Sequence, residues 1–434
     1  MENRKTRILL LVAEAWRHDA AGGNVINNIF GGMDFEFAQV YCDSRMPQNE
    51  FCKKYYQFSF EEMFRAVIGR KKVGRVLPEE LLSNNKAEQD GIKKHRTFNV
   101  IKSWNTNFFR TMKKFICYTS NWKTDELREF ITEFNPDLIF APCYASPFLL
   151  SLTRYVKELT GKKIITYSGD SSYTLKQFSL SPVFWIDKFW IRHCLRKTFW
   201  CYDLFYSMSE DEIKEMGPIV KKEMKIFRKG FSFEDIKTKT DVNSPVKMIY
   251  AGGVYINRWK VLAKIGEAIK KINSGEVKIE LHIYTGTPIT EKQKAKLNDG
   301  VNIFLHAPVS MDELERIYKQ SDIAIHCESF EMTKRYVTRL SFSTKIVDCL
   351  KSGCAVLAVA WGEHTGMKYL KENDAAICIE NIKDIETTLK QIVDNPEIIT
   401  EYSKKALALG HKNHSIDNIR KSLAQDFNEL LNER

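Results

Sequence analysis

Eleven short apolar runs of four to seven residues recur along this chain, separated by longer amphipathic stretches. The first half holds Ile8–Ala13, Phe37–Tyr41, Leu138–Ala141, Ile164–Tyr167 and Leu204–Ser207; the second holds Lys247–Ala251, Lys278–Tyr284, Val301–His306, Ile323–His326, Ala355–Val359 and Ala375–Ile379. Runs of this length suit strands buried on both faces. Between them, apolar residues fall at helical spacing over Thr124–Phe134, Pro147–Leu159, Val261–Ile272, Met311–Gln320, Thr344–Lys351 and Ile385–Val393. Strand–helix alternation yields parallel sheets covered by helices on both faces. The pattern restarts after the lysine-rich Asp235–Pro245. The sequence therefore predicts an α/β chain of two Rossmann-like, doubly wound domains facing each other across a cleft. Their expected bounds are 1–234 and 246–412, joined by a linker at 235–245, with a last amphipathic helix over 413–434 packing back toward the junction.

A chain of 434 residues is long enough for two such cores. No window nears the uninterrupted apolar length of a membrane span. In MENRKTRILLLVAEAW the apolar run stops at Glu14, which is strand length and too short for a secretory core. Ten cysteines without a C-x-x-C pair suggest neither a disulfide frame nor a zinc site, so buried thiols in a cytoplasmic protein are expected.

The net charge of +11 is uneven, because residues 51–114 hold 15 Lys/Arg against 6 Asp/Glu. That segment includes Arg70-Lys71-Lys72 and sets Arg110, Lys113 and Lys114 beside Phe108 and Phe109. A second basic and aromatic stretch is VFWIDKFWIRHCLRKTFW, Val183 to Trp200. Each can be a solvated face over a buried aromatic one. Together they suit the headgroup layer of an anionic membrane, a peripheral attachment on its cytoplasmic face. Nucleic acid is not expected as a partner.

Three local patterns suit a phosphorylated ligand. Gly22-Gly23 follows the first strand and precedes a helix over Asn24–Phe30, but it is not part of a G-x-G-x-x-G, and no P-loop occurs. Gly252-Gly253 stands at the equivalent place in the second half, followed by Arg258 and Lys260, a set suited to clamping a diphosphate. In RLSFSTKIVDCLKSGCAV, Ser343 and Thr344 can cap a helix whose free N–H groups bind an anion. Lys345 adds a cation, the weakest member because a residue beside a cap can point away. Asp348 can accept hydrogen bonds from sugar hydroxyls. Glu328 and its neighbour Glu331 follow a strand, and Asp170 in YSGD closes one in the first domain, the expected place for acceptor contact or acid–base work. His18 and Asp19 are weaker candidates. The absence of Asp-x-Asp leaves Arg and Lys to supply the charge a metal would otherwise bring.

YAGGVYINRWKVLAKIGEAI resembles the donor-diphosphate loop of glycosyltransferases of the two-Rossmann-domain (GT-B) architecture. DIAIHCESF and LSFSTKIVDCLKSGCAVLAV resemble their donor-binding segment, most of all in the retaining group 1, family 4-like enzymes of bacterial capsule, O-antigen and exopolysaccharide assembly. The resemblance covers roughly 247–410 and is looser before it. It implies that Arg258 and Lys260 neutralise a donor diphosphate, that Ser343 and Thr344 bind it, and that Asp348 binds the donor ribose. Glu328 would then face the sugar. It further implies a nucleotide-diphosphate sugar as donor, no metal or other cofactor, and a lipid-linked saccharide or other hydroxyl as acceptor. Where the family commonly spaces its two carboxylates by seven residues, nineteen intervene here, including Lys334, Arg335 and Arg339. Two other readings use the same fold. A sugar-nucleotide 2-epimerase needs no acceptor surface, which the basic aromatic stretches count against; a non-catalytic sugar-binding scaffold accords with the stretched spacing.

Overall fold

A computed structural model describes residues 4–17, 21–69, 72–78, 107–169 and 172–432. The chain forms two compact units. The first comprises Met1–Leu175, Ser179–Phe227 and Arg420–Arg434, and the second Lys176–Phe178 with Arg228–Ile419.

The first unit is built on β1 (Thr6–Val12), β2 (Phe35–Tyr41), β3 (Cys52–Gln57), β4 (Arg75–Val76), β5 (Leu138–Phe140), β6 (Lys163–Ser168), β7 (Leu204–Ser207) and β8 (Met224–Ile226). They form one sheet in the order β4-β3-β2-β1-β5-β6-β7-β8, parallel except for the β3–β4 pair. Its helices are α1 (Ala21–Phe30), α2 (Phe60–Gly69), α3 (Asn107–Thr119), α4 (Asp125–Phe134), α5 (Pro147–Thr160), α6 (Pro182–Thr198) and α7 (Glu210–Val220). Their starts follow ordinary capping chemistry: Thr124, Ser146, Ser181 and Ser209 each accept from the backbone N–H three residues on. Apolar patterning does not reveal β4, β8 or the longest of the three, β3. Its sequence CKKYYQ buries Cys52 and the Tyr55–Gln57 end while both lysines stay exposed.

The second unit is a six-stranded parallel sheet of β9 (Val246–Ala251), β10 (Ile279–Tyr284), β11 (Ile303–His306), β12 (Ile323–Cys327), β13 (Ala355–Val359) and β14 (Ile377–Ile379). Its order, β11-β10-β9-β12-β13-β14, reverses direction between β9 and β12. Ligands of doubly wound sheets bind outside the carboxyl ends of the strands at such a reversal. Around the sheet lie α8 (Arg258–Ile272), α9 (Glu291–Leu297), α10 (Met311–Gln320), α11 (Met332–Thr338), α12 (Thr344–Lys351), α13 (Thr365–Glu372), α14 (Ile385–Asp394) and α15 (Glu397–His414). β12 and β13 are buried along their whole length, which is why their sequences read as unbroken apolar runs. Residues 235–245 hold neither strand nor helix and belong to this unit.

The last helix is α16 (Ile416–Asn432), whose residues from Arg420 onward belong to the first unit. There Phe427 stacks on Phe30 at 5.6 Å between ring centroids. Asp426 accepts from the Tyr206 hydroxyl at 2.5 Å and from Lys225 at 2.7 Å. All ten cysteines are free thiols, eight of them buried, and burial pushes Cys143 and Cys327 up to about 12. No described helix is long and apolar enough to cross a membrane.

His414, at the end of α15, is fully buried. Its Nδ1–H donates to the Lys229 carbonyl at 3.0 Å, and Nε2 accepts from the Tyr369 hydroxyl at 2.9 Å. Burial pushes its pKa down to about 4, against the opposing pull of the Lys229 hydrogen bond. The unfolded chain takes up this proton near pH 6.5 and the folded chain only near pH 4. Folding stability should therefore fall as pH drops through that window. Denaturant unfolding across it should show a shallower slope for His414→Gln, and an unchanged slope would refute the assignment.

Candidate functional site

At the carboxyl end of β9 the backbone turns through Gly252 with φ of 147°, a left-handed region that side chains rarely adopt. A Cβ there would also lie 2.1 Å from Cε of Lys345. Two further left-handed residues, Ile256 (φ 58°) and Asn257 (φ 61°), bring the chain into α8. Such a conformation is unusual for a β-branched residue and marks a loop held by its surroundings. Asn257 occupies the helix cap without capping through its side chain. Its amide donates instead to Glu331 at 2.6 Å.

Across the strand reversal, β12 ends on Cys327 and is followed by Glu328. Arg258, the first residue of α8, donates to this carboxylate from Nε at 3.0 Å and from Nη2 at 2.6 Å. The pair is almost dry, with Glu328 1% and Arg258 8% exposed. Burial works against the guanidinium charge, but the Glu328 carboxylate outweighs it and keeps Arg258 firmly protonated. Glu328, expected to face a sugar, is thus the anchor of Arg258.

Lys345, in the first turn of α12, points at the glycine loop rather than away from it. Its ammonium donates to the Tyr250 hydroxyl at 3.0 Å and to the Gly253 carbonyl at 3.4 Å, while Tyr250 donates to Gly253 at 2.7 Å. Burial, followed by repulsion from Arg258, lowers its pKa. Ser343 holds the cap position of α12 with an extended backbone, yet its side chain makes no capping hydrogen bond. Thr344 is exposed. Asp348, one turn on, accepts from Lys229 at 3.1 Å.

The expected Arg258–Lys260 clamp is divided. Lys260 is paired with Glu331 on the exposed side of α8, while Arg258 turns inward to Glu328. Lys260 and the hydrogen bond from Asn257 hold the Glu331 carboxyl below its usual range. Between Glu328 and Asp348 lies α11, for which Glu331 is the residue at the helix cap. Gly22 and Gly23 belong to the first unit and lie inside α1, which starts at Ala21, not in a turn before it. A Cβ at Gly23 would sit 1.8 Å from the Arg17 carbonyl oxygen, so close packing of backbone on backbone accounts for that glycine. Asp170, His18, Asp19, Arg70 and Lys71 lie outside the described residues.

Two residues of this neighbourhood were missed from sequence. Tyr250 closes the glycine loop. His326, two residues before Glu328 and therefore on the same strand face, is fully buried with no hydrogen-bond partner for Nε2. Burial holds it neutral, reinforced by His364, whose ring lies 5.9 Å away. The alternation in IHCE carries that signal, since it sets His326 beneath Glu328. Among the described residues no group of three or more His, Cys, Asp or Glu is arranged to hold a metal ion.

Removing one partner of a buried ion pair strands the other charge. Glu328→Ala should therefore cost about 3 kcal/mol of folding stability, and Glu328→Gln less. Urea unfolding reads both; a loss below about 1 kcal/mol for the alanine variant would mean that Arg258 escapes to solvent.

No protein-family model matches the chain, and no curated protein does. Solved structures resemble it over nearly its full length. Sucrose-phosphate synthase from Thermosynechococcus elongatus is 10% identical with a TM-score of 0.63, covering 98% of this chain and 99% of its own. HepE of Anabaena, in complex with UDP and glucose, is 10% identical with a TM-score of 0.60, covering 98% of this chain and 100% of its own. An α,α-trehalose-phosphate synthase (UDP-forming) from Burkholderia vietnamiensis is 9% identical with a TM-score of 0.57 and the same coverage. At such identities the likeness is one of fold, and the fold is GT-B.

Proposed function

We propose that this chain is a glycosyltransferase that moves a sugar from a nucleotide-diphosphate sugar to an acceptor hydroxyl. The observation that carries the reading is the convergence at one strand reversal of the Gly252–Gly253 loop, Lys345 and the Arg258–Glu328 pair. Each is suited to negative charge at a strand carboxyl end. The GT-B fold adds weight, because the similar Anabaena protein was solved with UDP and glucose.

In this reading the donor diphosphate lies against the glycine loop and the start of α12. Lys345 and the first-turn N–H groups of α12 meet the charge that builds on the leaving diphosphate, where fixed donors lower a barrier most. Arg258, held by Glu328, contributes a second cation that does not need to reorganise. Asp348 accepts from the donor ribose in place of Lys229. Lys260, paired with Glu331, is peripheral. Because protein cations supply the positive charge, turnover should be unchanged by EDTA, and its abolition with recovery on adding magnesium would refute that part.

The finer reading, that transfer proceeds with retention onto a lipid-linked saccharide in bacterial surface polysaccharide assembly at the cytoplasmic membrane face, is supported by the resemblance of residues 247–410. NMR of the product decides the anomeric outcome, and inversion relative to the donor rejects retention. Incubation with a panel of nucleotide-sugars tests the activity itself. Release of free nucleotide marks a transferase, an altered sugar on the nucleotide marks an epimerase, and neither marks a scaffold. In the same assay Lys345→Ala should lower turnover on the order of 10²-fold, with a smaller effect for Lys260→Ala.

A further inference from the structure

Helices α3 and α6 of the first unit pack side by side. Lys114 on α3 donates to Asp187 on α6 at 2.6 Å. Trp190 of α6 meets Phe115 and Tyr118 of α3, with ring centroids 6.3 Å and 5.6 Å apart. Their outer side chains are apolar at helical spacing. On α3 the stripe is Phe108, Met112 and Phe115; on α6 it is Ile186 and Phe189, continued by Trp200 just past the helix. Apart from Met112, each of these side chains is at least half exposed, and Leu180, just before α6, is 88% exposed. That is a costly display of large apolar groups for a water-facing surface.

The charges on the two helices are mostly of one sign. Arg110, Lys113, Arg196 and Lys197 are exposed, whereas the only carboxylate on the two helices, Asp187, is held by Lys114. Aromatic and aliphatic side chains mixed with exposed cations match an anionic bilayer, whose headgroup layer accepts the rings while its phosphates attract Lys and Arg. A second copy of the chain matches poorly, because a two-fold contact through this face would oppose two cationic rims.

We propose that the α3–α6 face docks on an anionic lipid bilayer, with Phe108, Phe115, Ile186 and Phe189 entering the headgroup layer. The proposal rests on the transferase reading only in assigning a lipid-linked acceptor. Docking itself requires neither donor nor turnover, so its failure and a failure of glycosyl transfer are separate results.

The test is co-sedimentation of the full chain with vesicles of phosphatidylcholine, alone or mixed with phosphatidylglycerol. Binding is expected to the anionic vesicles at low salt, weakening as salt screens the cations. The exposed-site variant Phe115→Ser/Phe189→Ser should reduce the partition coefficient by roughly tenfold or more, and Arg110→Glu/Lys197→Glu by a similar factor, with unchanged circular dichroism. Three results would overturn the proposal: no binding to anionic vesicles at low salt, binding by both double variants undiminished from that of the unaltered chain, or a dimer in sedimentation velocity that the serine variant abolishes.

Discussion

The buried pair between Arg258 and Glu328 is the constraint around which the second unit's site is organised. It joins the first residue of α8 to the residue after β12, bridging the two strands between which the sheet changes direction. Two charges taken out of water are expensive, and an apolar pair of equal volume commonly stabilises a fold as well or better. Stability alone therefore gives no reason for charge at this position. What the pair supplies is orientation: two parallel N–H···O bonds leave the guanidinium no rotational choice. The neighbouring loop follows from it. With Arg258 fixed, the chain from Gly252 must close within five intervening residues, and it does so through left-handed backbone at Ile256 and Asn257.

A second set of contacts ties the helix opposite to the same loop. Lys345 reaches from α12 to Tyr250 and Gly253, in the space that a side chain on Gly252 would fill. Asp348 on that helix meets Lys229, and the adjacent Arg228 lies over the rings of Phe342 and Tyr369 at 4.4 Å and 4.6 Å. The residues at which the chain enters the second unit thus grip both ends of the segment that leads into α12.

Most of the fold was legible because its strands are buried on both faces. In β12 and β13 every residue is buried, so each reads as an apolar run whose short length and flanking Gly or Ser mark it as a strand. β3 escaped because CKKYYQ keeps two lysines in water, and its inward side chains are tyrosines and glutamine rather than aliphatics. The site was legible in kind but not in pairing. Sequence spacing set Arg258 and Lys260 together, yet two residues along a helix turn their side chains well apart, one toward the core and one toward solvent. Lys345 was undervalued for a related reason: beside a cap its direction depends on what the neighbouring strand offers, and Tyr250 and the glycine loop are tertiary facts. Gly23 was misread because a glycine required by the Arg17 carbonyl has the same one-letter signature as one that admits a phosphate.

The two carboxylates are each held independently of the segment between them. Glu328 is fixed by β12 and by Arg258; Asp348 is fixed by the register of α12, whose Ile346, Val347, Cys349 and Leu350 are buried. The eleven residues from Met332 to Phe342 carry α11 between these anchors. Phe342 returns to the core against Tyr369, with ring centroids 5.2 Å apart, before α12 begins. Extra loop length costs little entropy once its ends are held. The residues that set placement are those tied to strands and helix starts: Glu328 by a cation, and Asp348 by the apolar face of its own helix.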